Sequence, residues 1–212
     1  MSNRKHNFVV GEYYHIYNRG VDKREIILDK YDLDRFLESI EEFNTPDQIG
    51  SIFELSFIKN KLGGSTTKSN KLVSLVAYCV NPNHFHFLIT PLMERGVEKF
   101  MQKIGAYTRY FNEKHKRNGV LFQGKFRSKH VDSNKYLTHL SAYINMNNRS
   151  LLGGRTTKLS KSSLGEYVKK DEIKNLCEKD IILSQFKNGE DYFQFALSSW
   201  QDSQERKKAL EF

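Results

Sequence analysis

The chain has 212 residues, enough for one domain with an appendage around a real core. Lysine and arginine number 34 against 25 acidic residues, a formal charge of +9 that favours a polyanionic partner, nucleic acid ahead of membrane. Two distant cysteines, Cys79 and Cys177, exclude a disulfide framework and a thiolate zinc site; no apolar run reaches the roughly 18 residues of a membrane span, and the polar Met1-Ser2-Asn3-Arg4-Lys5-His6 start carries no signal-peptide core, so a cytoplasmic protein without a membrane partner is expected.

Phe8 to Asn18, rich in aromatic and β-branched residues, reads as a first strand ended by Arg19-Gly20. Leu33, Phe36, Leu37 and Ile40 recur at helical spacing between Asp29 and Phe43. Asn44 to Asn70, with an apolar stretch at 52–58 and a Gly-Gly-Ser-Thr-Thr-Lys loop, reads as a variable insertion. Lys71 to Thr90 forms two strands around Asn81-Pro82-Asn83. Val97, Phe100, Met101, Ile104, Tyr107 and Phe111 predict one long amphipathic helix. After the turn at Asn118-Gly119, Val120 to Val131 reads as extended and basic. Asp132 or Ser133 caps a helix to about Asn147, and two more helices are expected near 174–186 and 189–207.

Alternate side chains of a strand share a face, so His84, His86 and Leu88 point one way and Phe85, Phe87 and Ile89 the other. Two imidazoles side by side make half a metal site, or equally a hydrogen-bonded pair. On the helix after Ser133, Tyr136, Leu140, Tyr143 and Asn147 fall on one face. That spacing suits a core stripe ending at a helix terminus. It also suits a phenol and an amide oxygen one turn apart, the phenol to attack phosphorus and the amide to complete the metal site.

Four segments in order carry a resemblance. They are Ala77-Tyr78-Cys79-Val80 with, one residue on, Pro82-Asn83-His84-Phe85-His86, then Tyr107-Thr108-Arg109-Tyr110-Phe111-Asn112, Leu121-Phe122-Gln123-Gly124-Lys125-Phe126-Arg127-Ser128, and the helix from Tyr136 to Asn147. Together they resemble the single-tyrosine HUH transposases, in the branch called REP-associated tyrosine transposases, and the similarity runs from Tyr14 to about Arg149. The resemblance implies His84, His86 and Asn147 as ligands of Mg²⁺ or Mn²⁺ and Tyr143 as the nucleophile. It also implies a covalent 5′-phosphotyrosine on single-stranded DNA bearing a hairpin or palindromic repeat, a bacterial, nucleoid-associated substrate. Relatives commonly follow the matching asparagine with proline; here Asn148 stands there, which puts the helix end in question.

Arg109, Lys116, Arg117, Lys125, Arg127 and Lys129 surround these motifs in sequence and are assigned to phosphate, with Gln123 and Arg19 as further DNA contacts. The element order suits an α+β fold, an antiparallel sheet with helices on one face, which the resemblance makes ferredoxin-like (RRM-like). Residues 1–150 are read as the catalytic domain and 151–212 as a C-terminal helical extension. Two other functions use the same residues: a non-catalytic binder of nucleic-acid hairpins, and a metal phosphodiesterase that activates water. Monomer and homodimer both stay open.

Overall fold

The computed structural model describes residues 7–50, 52, 70–149, 158–168 and 175–209. The chain runs β1 (Tyr13–Arg19), α1 (Lys30–Glu42), β2 (Val73–Asn81), β3 (His84–Pro91), α2 (Gly96–Gly105), α3 (Tyr107–Lys114) and β4 (Arg127–Val131). It continues through α4 (Asn134–Met146), β5 (Lys161–Ser162), α5 (Leu164–Val168), α6 (Asp180–Leu183) and α7 (Gly189–Ala209). Every strand pairing is antiparallel, in the order β4-β1-β3-β2-β5. Strands β1 to β4, with a helix after β1 and helices after β3, form the β-α-β-β-α-β arrangement of a ferredoxin-like sheet. No described helix is long and apolar enough to cross a membrane.

One face of the sheet presents Tyr14, Ile16, Phe85, Phe87 and Ile89 to Phe36 and Ile40 of α1, Phe100 and Ile104 of α2, and Tyr107 and Phe111 of α3. These three helices lie on one face, whereas the sequence reading placed all the helices there. A second core fills part of the other face, where Val76, Ala77, Cys79 and Leu88 meet Leu137, Leu140 and Ile144 of α4, backed by Tyr167, Ile182 and Tyr192 from the C-terminal segment. That segment is woven into the sheet: Tyr167 Oη donates to Val76 O, and Ser163 N donates to Tyr78 O.

Three elements differ from the sequence reading. The stripe from Val97 to Phe111 breaks at Gly105–Ala106, so two helices replace one. A glycine there loses more freedom in a helix than other residues, and the turn lets Tyr107 Oη reach Ile26 O at 2.8 Å. The extended segment narrows to β4; Leu121 to Phe126 is turned, with Phe122 bridged to Gly20. Of the helices near 174–186 and 189–207, the first is the single turn α6, and the second is α7. Residues 53–69 of the expected insertion and 153–157 of the second Gly-rich loop lie outside the described residues. The entry to that insertion is fixed, since Asn44 Oδ1 accepts from Leu72 N and Val73 N, both at 3.0 Å.

Strand β2 carries a bulge between Leu75 and Ala77. Val73 and Leu75 face the α1–α3 core, whereas Val76 and Ala77 both face the α4 core, and alternation then resumes with Cys79 and Asn81. The extra residue changes which side chains face which layer.

Candidate active site

The phenylalanines of β3 are buried beneath the sheet, and that packing directs His84 and His86 to the α4 side. Across the strands, Asn81 pairs with His84, Cys79 with His86, and Tyr17 of β1 with His86. Helix α4 starts where the Ser133 side chain accepts from Tyr136 N, and its phase carries Tyr143 over the histidines. Tyr136, Leu140 and Tyr143 line one cleft with His15, Tyr17 and His86, of about 1030 Å³. The Tyr143 ring stands 5.8 Å from that of His86, and its residue is 40% exposed, so a nucleic-acid strand can reach it. The missing proline does not loosen the helix end: Asn147–Arg149 continues as a 3₁₀ turn, with Asn147 and Asn148 buried.

Hydrogen bonds set the proton positions. His84 Nδ1 donates to Asn83 Oδ1 at 2.6 Å, which leaves Nε2 as a bare lone pair. That nitrogen lies 3.0 Å from Asn147 Oδ1, also a lone-pair donor. Two such atoms do not hydrogen-bond to one another, and the Asn81 Nδ2 group satisfies both, at 3.0 Å to His84 Nε2 and 2.8 Å to Asn147 Oδ1. Asn81 Oδ1 is buried without a partner among the described residues, at a cost of about 1–3 kcal/mol. His86 Nδ1 lies 2.9 Å from His15 Nε2, so a proton on His86 Nδ1 frees its Nε2. Converging lone pairs on nitrogen and amide oxygen beside an orphaned carbonyl are a donor set that fits a divalent cation.

The electrostatics favour neutral ligands. Burial lowers the His84 imidazole, against the pull of Asn147. His86 is held well below its ordinary 6.5 by burial and by the neighbouring His15 and His84. His15 falls to about 4 through burial and the Lys129 cation. Uncharged imidazole is the metal-binding form. Burial raises the Tyr143 phenol, while a hydrogen bond from the Asn147 side chain pulls it down. Asn147 therefore touches both the histidine half and the tyrosine.

The basic residues separate into two groups. Arg127 and Lys129 stand on β4 opposite Tyr17 and His15 and face the site. Arg19 and Gln123, joined by a hydrogen bond from Arg19 Nε, line a second hollow of about 360 Å³ with His84, His86 and Arg127. Lys125 precedes β4 and lines a hollow with Phe85 and Met101 on the opposite side of the sheet. Arg109, Lys116 and Arg117 are not brought to the histidines either; they line a separate depression along α3, where Arg109 pairs with Glu113. Tyr107 is buried and hydrogen-bonded to the main chain.

Sequence reasoning missed His15, Tyr17 and Asn81. The alternation Tyr14-His15-Ile16-Tyr17 placed two of them on one strand face, but nothing local tied that face to β3. A different cluster, Asp29, Asp32 and His115, brings ligand atoms within 4.8 Å of one another. There the Lys114 ammonium already contacts Asp29 Oδ1 at 2.7 Å and Asp32 Oδ1 at 2.8 Å, so the cluster ties α1 to α3.

No curated protein matches the chain. Among solved structures, it is similar to a REP-associated tyrosine transposase bound to a REP hairpin, with TM-score 0.44 and 14% identity over 72% of this chain and 75% of that one. It is also similar to a Deinococcus radiodurans R1 protein classed as a transposase, with TM-score 0.36 and 13% identity over 74% of this chain and 100% of that one. Residues 52–147 match the family model described as transposase, IS200-like. The matched residues carry both the histidine strand and the tyrosine helix.

Proposed function

We propose that the protein cuts and rejoins single-stranded, hairpin-forming DNA through a covalent 5′-phosphotyrosine at Tyr143. The observation that carries this reading is the position of Tyr143, exposed beside His86 on the helix whose end brings Asn147 to His84. A phenol in mere core packing would not stand open to solvent beside a histidine.

His84, His86 and Asn147 would hold one Mg²⁺ or Mn²⁺, which supplies a positive charge that draws electron density from the scissile phosphate. The Tyr143 oxygen forms a bond to phosphorus as the bond from phosphorus to the 3′ oxygen breaks. The phenol proton passes to water, and the departing 3′ oxygen takes one up. The phosphodiester's energy stays in the tyrosine ester, so a later 3′-hydroxyl attack reseals a strand without a nucleotide cofactor. Lys129 and Arg127 hold neighbouring phosphates on the open side of the cleft. The hairpin preference rests on the sequence resemblance.

The test is incubation with labelled single-stranded hairpin DNA and Mn²⁺, followed by denaturing electrophoresis. A protein–DNA adduct that disappears in Tyr143→Phe supports the proposal. Cleavage to free 5′-phosphates that survives Tyr143→Phe replaces it with water-mediated hydrolysis, and binding without cleavage replaces it with a hairpin-binding role.

A further inference from the structure

The metal half of the site contains an asparagine that neither the motif nor the family match singles out. Asn81 closes β2 directly opposite His84 and is fully buried. Its Nδ2 occupies the point where the lone pairs of His84 Nε2 and Asn147 Oδ1 converge. Its Oδ1 has no hydrogen-bond partner among the described residues. We propose that Asn81 is an additional oxygen ligand of the divalent cation, turning its amide over when the cation binds. This rests on the metal reading of His84, His86 and Asn147.

The argument is steric and electrostatic together. A cation between His84 Nε2 and Asn147 Oδ1 cannot face the positive end of an amide. Asn81 cannot swing out of the way, because it lies within the sheet with no exposed surface. A half-turn about its terminal side-chain bond is the movement left, and it sacrifices no hydrogen bond of Oδ1 because Oδ1 makes none. The two ends of an amide are nearly equal in shape, so the turned carbonyl lies where Nδ2 lies now, about 3 Å from each of the other two donors. The site then offers amide oxygens from two asparagines beside imidazole nitrogen, a set suited to a hard divalent ion. Without the ion, the same side chain keeps the two lone pairs bridged.

The opposite role is a bare placeholder, an amide that the ion must displace. The two roles predict opposite signs. Mn²⁺ affinity is measured on the DNA-free protein from the electron paramagnetic resonance signal of free Mn²⁺, for wild type, Asn81→Ala, Asn81→Asp and His84→Ala. As a ligand, Asn81 makes Asn81→Ala bind Mn²⁺ about tenfold or more weakly, while Asn81→Asp binds at least as tightly as wild type and gains a larger Mn²⁺-induced rise in melting temperature. Asn81→Ala that binds Mn²⁺ as tightly as wild type or tighter overturns the inference. So does an Asn81→Asp protein whose melting temperature responds to Mn²⁺ less than wild type, which keeps the question answerable if the alanine variant does not fold. Loss of affinity in His84→Ala shows that the metal reading stands whatever Asn81 does; wild type and His84→Ala that both fail to bind Mn²⁺ remove both ideas together.

Discussion

Acidification should weaken this protein through His15. The imidazole is buried against His86 and near the Lys129 cation, and its pKa falls from 6.5 to about 4. Between those values the unfolded chain binds a proton that the folded chain refuses, so stability rises with pH through that window and is lost as pH falls through it. At about 1.4 kcal/mol for each pH unit, the gap from 6.5 to about 4 amounts to about 3 kcal/mol of folding stability. His86 is displaced in the same direction and adds to the loss. The assay is urea unfolding at pH 7.5, 6.5, 5.5 and 4.5 for wild type and for His15→Gln, which keeps a hydrogen-bonding group and cannot take up the proton. Comparing each protein with itself across pH removes any constant cost of the substitution. The variant should lose less stability than wild type between pH 6.5 and 4.5. Equal losses would show that His15 is not the group refusing the proton.

Lys129→Ala should weaken single-stranded DNA binding and reduce the slope of log affinity against log salt by about 1, whereas Arg109→Ala, on the far side of the fold, should leave that slope unchanged; fluorescence anisotropy across a salt series distinguishes them. Asp32→Ala should cost about 3–5 kcal/mol in chemical denaturation, since a buried carboxylate accepts from Leu28 N and contacts both Lys114 and His115. Asn44→Ala should lower the melting temperature by several degrees, because Leu72 N, Val73 N and Val73 O lose their side-chain partner; an unchanged melting point would mean that water replaces the asparagine without loss.

Periodic features were legible because they are local. The Leu33-Phe36-Ile40 stripe, the Ser133 cap and the parity of His84-Phe85-His86 each depend on a few neighbouring residues, and α1, α4 and β3 follow them. Helical phase joined to the family resemblance singled out Tyr143 and Asn147, which lie beside His86 and His84. Cross-strand partners were not readable, because His15 meets His86 only through the β1–β3 register, which is set 71 residues away. Charge near a motif in sequence misled for Arg109, Lys116 and Arg117, since α3 packs on the opposite face of the sheet from the histidines. Lys125 lies away from the histidines for a smaller reason: strand pairing starts at Arg127, so the alternation that aims Arg127 and Lys129 does not extend back to it.

The bulge in β2 acts as a parity switch. Counting by twos from Val73 and Leu75 would send Cys79 and Asn81 into the phenylalanine layer and turn Tyr78 and Val80 toward His84 and His86. One extra residue near Val76 reverses that assignment for the rest of the strand. Loss of Val76 would remove the bulge and leave Cys79 and Asn81 facing the histidines in regular alternation, because Leu75 and Ala77 already pair with the consecutive residues Ile89 and Leu88. The extra residue therefore lets Val73 and Leu75 keep to the phenylalanine layer while Cys79 and Asn81 turn to the histidines. A comparison of relatives that aligns the histidine motif but overlooks an insertion or deletion near Val76 would pair residues from opposite sides of the sheet.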